Sequence, residues 1–191
     1  LVGSEMCIRD RVEIVDGVKA YMKNNEISVK GLMRYIKGPD FPTGGIVVNK
    51  DDLHKIYETG SGKIRLRGKV EVEKLKGGRK QLVITEIPYT MLGANIGKFL
   101  NDVASLIETK KTTDIVDISN QSSKEGIRIV LDLKRDADVE NLTNMLYKKT
   151  KLEDTFGVNM LAVADGRPET LSLKQVIEHH VDFVFDVTTR K

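Results

Sequence analysis

The chain has 191 residues, of which 40% are hydrophobic and 31% charged, enough to bury a core and keep a charged surface. Lysine plus arginine exceeds aspartate plus glutamate by only 31 − 28 = 3, so net charge does not announce a nucleic-acid binder and any basic surface must be local. A single cysteine, Cys7, excludes an internal disulfide and a cysteine-rich metal site, and fits a reducing cytoplasm. No apolar run approaches the ~20 residues of a membrane span, and no signal-peptide pattern is present.

Residues 1–11 carry neither a helical nor a strand period. Glu5-Met6-Cys7-Ile8-Arg9-Asp10-Arg11 back-translates to the transposase end sequence used to prepare sequencing libraries. Residues 1–11 are therefore set aside as a translated adaptor, and Cys7 leaves any redox argument. Position 1 is not Met, and the chain is expected to be an internal piece of a longer protein.

A helix is expected over residues 13–23, with Ile14, Val15, Val18, Tyr21 and Met22 at three- and four-residue intervals and Asn24-Asn25 ending it. Ser28 is placed to N-cap a second helix over 29–36, stopped by Gly38-Pro39. Gly38-Pro39-Asp40-Phe41-Pro42-Thr43-Gly44-Gly45 is a shaped loop. It has no GxxxxGK[ST] pattern, so nucleotide binding is rejected there. A short strand at 46–48 follows, then a helix from Asp51 or Asp52 carrying Leu53, Ile56 and Tyr57 into Gly60-Ser61-Gly62, a turn able to bring N–H groups near an anion.

Residues 63–73 alternate strictly. Ile64, Leu66, Val70 and Val72 share one face, and Lys63, Arg65, Arg67 and Lys69 the other. Four cations about 7 Å apart come near the spacing of phosphates along a nucleic-acid strand. These four are the candidate DNA-binding residues. Such contacts position a duplex and do not read its sequence. The plain alternative is an edge strand that uses lysine and arginine against aggregation.

A hairpin connection at 75–79 leads to a strand over 81–87, ended by Pro88. The longest helix is expected over 91–110, with Leu92, Ile96, Phe99, Leu100, Val103, Leu106 and Ile107 as its apolar stripe. Strands at 114–119 and 127–133 flank a polar loop over 120–126, and a helix runs over 138–149. Lys124 and Arg128 form a second candidate patch, weighed against a solvated strand face. Short apolar pieces at 152–156 and 158–163 precede a turn at 165–168 and a last helix from Ser172 through Leu173, Val176, Ile177, Val181 and Val184. The fold class is α+β, a mixed or antiparallel sheet with packed helices and a long helix leaving at the end.

No metal site is expected. His179 and His180 are adjacent on a helix and point about 100° apart, so with Glu178 they do not converge. His54 reads as a surface helix residue, and Glu71, Glu73 and Glu86 offer no general acid or base.

Six strings now stand in one order. They are residues 38–45, Thr59-Gly60-Ser61-Gly62-Lys63, Glu86-Ile87-Pro88-Tyr89, Lys124-Glu125-Gly126-Ile127-Arg128-Ile129-Val130, Phe156-Gly157-Val158-Asn159-Met160 and Gly166-Arg167-Pro168. Together they closely resemble the A subunit of bacterial type IIA DNA topoisomerases, the DNA gyrase and topoisomerase IV group, from about Val12 to the end. The resemblance implies a tower domain over 12–170, beside a winged-helix domain and flanking a cleaved duplex, and the truncated start of a coiled-coil arm over 171–191. The partners it implies are double-stranded DNA, an ATPase B subunit, and a further copy of the A subunit in an A2B2 assembly. The B subunit handles ATP and Mg2+, so this piece binds no cofactor, and the setting is cytoplasmic and nucleoid-associated. In the family the tyrosine nucleophile lies upstream, and no residue here matches it. Tyr21, Tyr35, Tyr57, Tyr89 and Tyr147 sit in other contexts, so no catalytic residue is assigned and the piece alone is expected to be inactive. A standalone nucleic-acid-binding or scaffold module without catalysis is the competing reading.

Overall fold

A computed structural model describes residues 8–75, 77–124, 126–164 and 166–190. In chain order its elements are α1 (Ile8–Lys23), α2 (Val29–Leu32), β1 (Ile46–Val47), α3 (Asp52–Thr59), β2 (Ser61–Arg67), β3 (Lys69–Lys74), β4 (Lys80–Glu86), a 3-10 turn (Tyr89–Met91), α4 (Ala94–Glu108), β5 (Ile115–Asn120), β6 (Ile129–Leu133), α5 (Val139–Lys149), β7 (Glu153–Asn159), β8 (Leu161–Ala164), β9 (Arg167–Thr170) and α6 (Leu173–Arg190). The sheets run in the orders β1-β2-β7, β3-β4-β6-β5 and β8-β9. The fold is α+β, with antiparallel pairing along the four-stranded sheet and a long helix at the C-terminal end. Most of the segment set aside as an adaptor lies outside the described residues. Its last part is helical, so α1 begins at Ile8 and not at residue 13.

The described residues fall into two compact units. One comprises Leu1–Pro42, Asn49–Ile64 and Gly157–Lys191, the other Thr43–Val48 and Arg65–Phe156.

In the first unit the core gathers Tyr21 of α1, Leu32 of α2, Ile36, Tyr57 of α3 and Leu173 and Ile177 of α6. Ser28 caps α2 as expected, its Oγ accepting from the Gly31 N–H at 3.2 Å. The helix expected to reach residue 36 stops after one turn. The Arg34 and Tyr35 N–H groups bond carbonyls three residues back, at 3.3 and 2.9 Å, which tightens the chain out of α geometry. Gly60 closes α3 in the left-handed conformation, φ 74°, and the Leu171 carbonyl lies where its Cβ would stand. Beyond Ile177, α6 carries Phe183 and Phe185, both about two-thirds exposed.

In the second unit one face of the four-stranded sheet offers Leu82, Ile84, Ile129, Leu131 and Leu133. Phe99 and Val103 of α4 and Leu142 and Leu146 of α5 pack on that face, all at most 2% exposed. Both helices thus lie on one side, and this is the larger core. Asp138 caps α5, accepting from the Asn141 N–H at 3.1 Å.

The single strand expected over 63–73 is two strands. β2 ends at Arg67 and pairs with β1, Ile46 opposite Arg67 and Val47 opposite Leu66. β3 begins at Lys69 and pairs with β4 in the other sheet. Gly68 makes the break. Its N–H donates to the Leu152 carbonyl at 2.8 Å, and its carbonyl accepts the Tyr147 hydroxyl at 2.9 Å. A Cβ there would meet Leu152 Cδ1 at 2.6 Å and the Glu86 carbonyl oxygen at 2.8 Å. Only glycine allows so close an approach.

Candidate nucleic-acid interface

The four-cation row does not survive as one surface, because the break at Gly68 assigns Lys69 to a different sheet from Arg65 and Arg67. Within β2 the alternation holds: Ile64 and Leu66 are buried at 1% and 0%, and Lys63 and Arg65 are exposed.

In the second unit each cation has its own setting. Arg67 is held. Its Nε donates to Glu153 Oε2 at 2.7 Å, and its Nη2 lies 2.5 Å from the same oxygen. The guanidinium carbon stands 4.3 Å from the centroid of the Tyr147 ring, a cation–π contact. Burial pushes the Tyr147 phenol pKa up; the Arg67 charge opposes that rise and the Glu153 charge adds to it. Arg65 is looser: its Nη1 is 4.0 Å from the other Glu153 oxygen, and 55% of its side chain is exposed. One carboxylate therefore faces two arginines and grips the inner one.

Lys69 Nζ lies 3.0 Å from Glu71 and 4.0 Å from Glu86. Glu71, then Glu86, holds its ammonium above the ordinary lysine value. Glu86 has a second duty: its Oε2 accepts the Gly45 N–H at 2.6 Å, which fastens the Pro-Thr-Gly-Gly loop to β4. The loop is thus shaped from outside by a carboxylate, and Gly44 and Gly45 meet it at φ 68° and 105°.

Arg128 reaches across β4 to Glu73 on β3, with bonds of 3.1 and 2.9 Å to its two oxygens. Those bonds lower the Glu73 pKa and raise that of Arg128. Lys124 is exposed in the loop between β5 and β6.

In the first unit Lys63 is exposed and lines a shallow pocket of about 310 Å³ with Asp52, Lys55, Ile56, Thr59, Ser61 and Gly62. In the turn before it, two of the N–H groups have partners within the unit. The Gly60 N–H donates to the Ile56 carbonyl at 2.8 Å and the Ser61 N–H to Thr59 Oγ1 at 3.4 Å. His54 lies 3.4 Å from Glu58, one turn on, while His179 and His180 are exposed. Among the described residues no group of three His, Cys, Asp or Glu side chains gathers as metal ligands do, and no helix is long and apolar enough to cross a membrane.

Glu153 and Tyr147 escape a reading of the sequence. They lie far along the chain from Arg67, and nothing local marks them as its partners. Lys148, Lys149 and Lys151 escape it too, although the Lys-Lys-Thr-Lys run is plain in the sequence.

The family of DNA gyrase/topoisomerase IV A subunits matches residues 3–191. The chain belongs to that family. It is 42% identical over 179 residues to the DNA gyrase A subunit of Clostridium acetobutylicum, covering 94% of this chain and 21% of that protein. It is 38% identical over 179 residues to the DNA topoisomerase 4 A subunit of Staphylococcus epidermidis, covering 94% and 22%. To the DNA gyrase A subunit of Streptococcus pneumoniae it is 40% identical over 179 residues, covering 94% and 21%. The chain thus spans 21% to 22% of the length of these curated relatives.

Proposed function

We propose that this chain is part of the DNA breakage-reunion component of an ATP-dependent type IIA topoisomerase, in its tower region, where it supports and binds the cleaved duplex. The observation that carries this reading is the family match across residues 3–191. Arg65 is the residue of the second unit best suited to a phosphate. It is more exposed than Arg67, and its guanidinium stands 4.0 Å from Glu153 while offering a planar fork of donors that suits a phosphate. Arg67, Lys69 and Arg128 keep a place as phosphate contacts only where a phosphate displaces or joins their carboxylates. Lys63 and Lys124 are exposed cations suited to backbone contact.

The tyrosine nucleophile is proposed to lie in the parent protein outside this stretch. ATP and Mg2+ chemistry is assigned to a partner B subunit, in an A2B2 assembly built on two copies of the parent protein, in the bacterial cytoplasm and on the nucleoid. Residues 171–191 are proposed as the start of the coiled-coil arm, and α6 leaves Phe183, Val184, Phe185 and Val187 exposed.

The test is duplex binding at low salt by the 191-residue chain and by R65E. The reading expects measurable binding that R65E weakens. Equal affinity of the two chains contradicts Arg65 as a contact, and absence of binding by the unaltered chain contradicts the duplex-binding role.

A further inference from the structure

We propose a second row of phosphate contacts in the unit formed by Thr43–Val48 and Arg65–Phe156: Lys148, Lys149 and Lys151, acting with Arg65 on duplex DNA. The proposal rests on the duplex-binding reading above and extends it to residues that nothing else assigns.

Residues 147–153 are tied to the β2–β3 junction at three points. Tyr147 lies under Arg67 and donates to the Gly68 carbonyl at 2.9 Å, Leu152 accepts the Gly68 N–H at 2.8 Å, and Glu153 binds Arg67 at 2.7 Å. All three lysines lie between these ties, and all are exposed. Thr150 splits them. It is buried, donating from Oγ1 to the Leu146 carbonyl at 2.6 Å and accepting the Leu152 N–H at 3.3 Å. The stretch therefore holds one fixed path with its cations outward, and a phosphate rail meets a prepared surface.

The charge count favours the same occupant. Arg65, Arg67, Lys148, Lys149 and Lys151 carry five positive charges and Glu153 and Asp154 two negative ones, which leaves 5 − 2 = +3 over these seven residues. Lys151 meets Asp154 at 3.7 Å with 47% of its side chain exposed, a loose pair that screens easily. Lys148 and Lys149 lie in the last turn of α5, where lysines also suit the macrodipole, whereas Lys151 lies past the end of α5 as Lys110 and Lys111 lie past the end of α4.

The test compares K148Q/K149Q/K151Q, the control K110Q/K111Q, R65Q and the unaltered 191-residue chain, each binding a short mixed-sequence DNA duplex across a salt series. Circular dichroism first checks that the exposed substitutions leave the fold intact. The proposal expects the slope of log K against log salt to flatten by about 0.9 for each lysine removed, with the control flattening it much less. Equal flattening by the triple variant and the control, or none by the triple variant, overturns it. A loss confined to R65Q overturns this second row and leaves the broader reading standing; no binding by any chain overturns both.

Discussion

Arg67 and Glu153 are 86 residues apart and joined by an Nε bond of 2.7 Å, with the guanidinium stacked on Tyr147 at 4.3 Å. Side-chain exposures of 36% and 20% make this the most sheltered arginine–carboxylate pair among the described residues. A double-mutant cycle with R67A and E153A is expected to give a coupling of about 1 kcal/mol, the upper end for partly exposed pairs. Urea unfolding of the four chains measures it, and additive effects contradict the clamp.

Gly68 and Gly97 are expected to respond in opposite ways to alanine. At Gly68 the new Cβ meets Leu152 and the Glu86 carbonyl, so G68A is expected to destabilise by about 2 kcal/mol or more. Gly97 is exposed inside α4 with nothing near its Cβ, so G97A is expected to stabilise by about 0.5–1 kcal/mol. Thermal midpoints that move the same way in both variants contradict the account of the strand break.

That break explains how much of the fold is legible in the sequence. The cap at Ser28, the apolar stripe of α4 from Ile96 to Ile107 and the α+β class all follow from local pattern, while Leu92, read as part of that stripe, lies before α4 and is exposed. Gly68 falls on the apolar parity with Ile64, Leu66, Val70 and Val72, so a period of two runs through it unbroken. The break is made by Leu152, Glu86 and Tyr147, which lie far along the chain. The same distance hides Glu153 as the partner of Arg67, and with it the different settings of Arg65 and Arg67. Strand β9 is invisible beforehand because Arg-Pro-Glu-Thr has no strand signature, and it forms by pairing with β8, Leu161 opposite Thr170.

The Arg128–Glu73 pair carries a pH signature. Hydrogen bonds from Arg128 hold the folded Glu73 pKa below its unfolded value. The pair's stabilisation is therefore present above the unfolded glutamate pKa and is lost as pH falls through the folded one. R128Q is expected to lower stability at neutral pH, where the pair is formed, and to flatten the acid side of the stability–pH curve. An unchanged acid limb contradicts the pairing.

Along α6 the effect of substitution is expected to divide at Ile177. Leu173 is 5% exposed in the core of the first unit, and L173A is expected to cost about 2–4 kcal/mol. Phe183 and Phe185 are 67% and 64% exposed, and F183S/F185S is expected to change stability by less than about 0.5 kcal/mol. Chemical unfolding separates the two, and a large loss in the double variant contradicts the exposed end.

The most direct measurement follows duplex binding by the unaltered chain and by R65Q at a series of salt concentrations. If Arg65 rests on the sugar-phosphate backbone, R65Q binds more weakly at low salt and its log–log salt slope is shallower by about 0.9. Superimposable curves for the two chains would contradict the central claim, that β2 presents Arg65 to DNA while Glu153 keeps Arg67 for the fold.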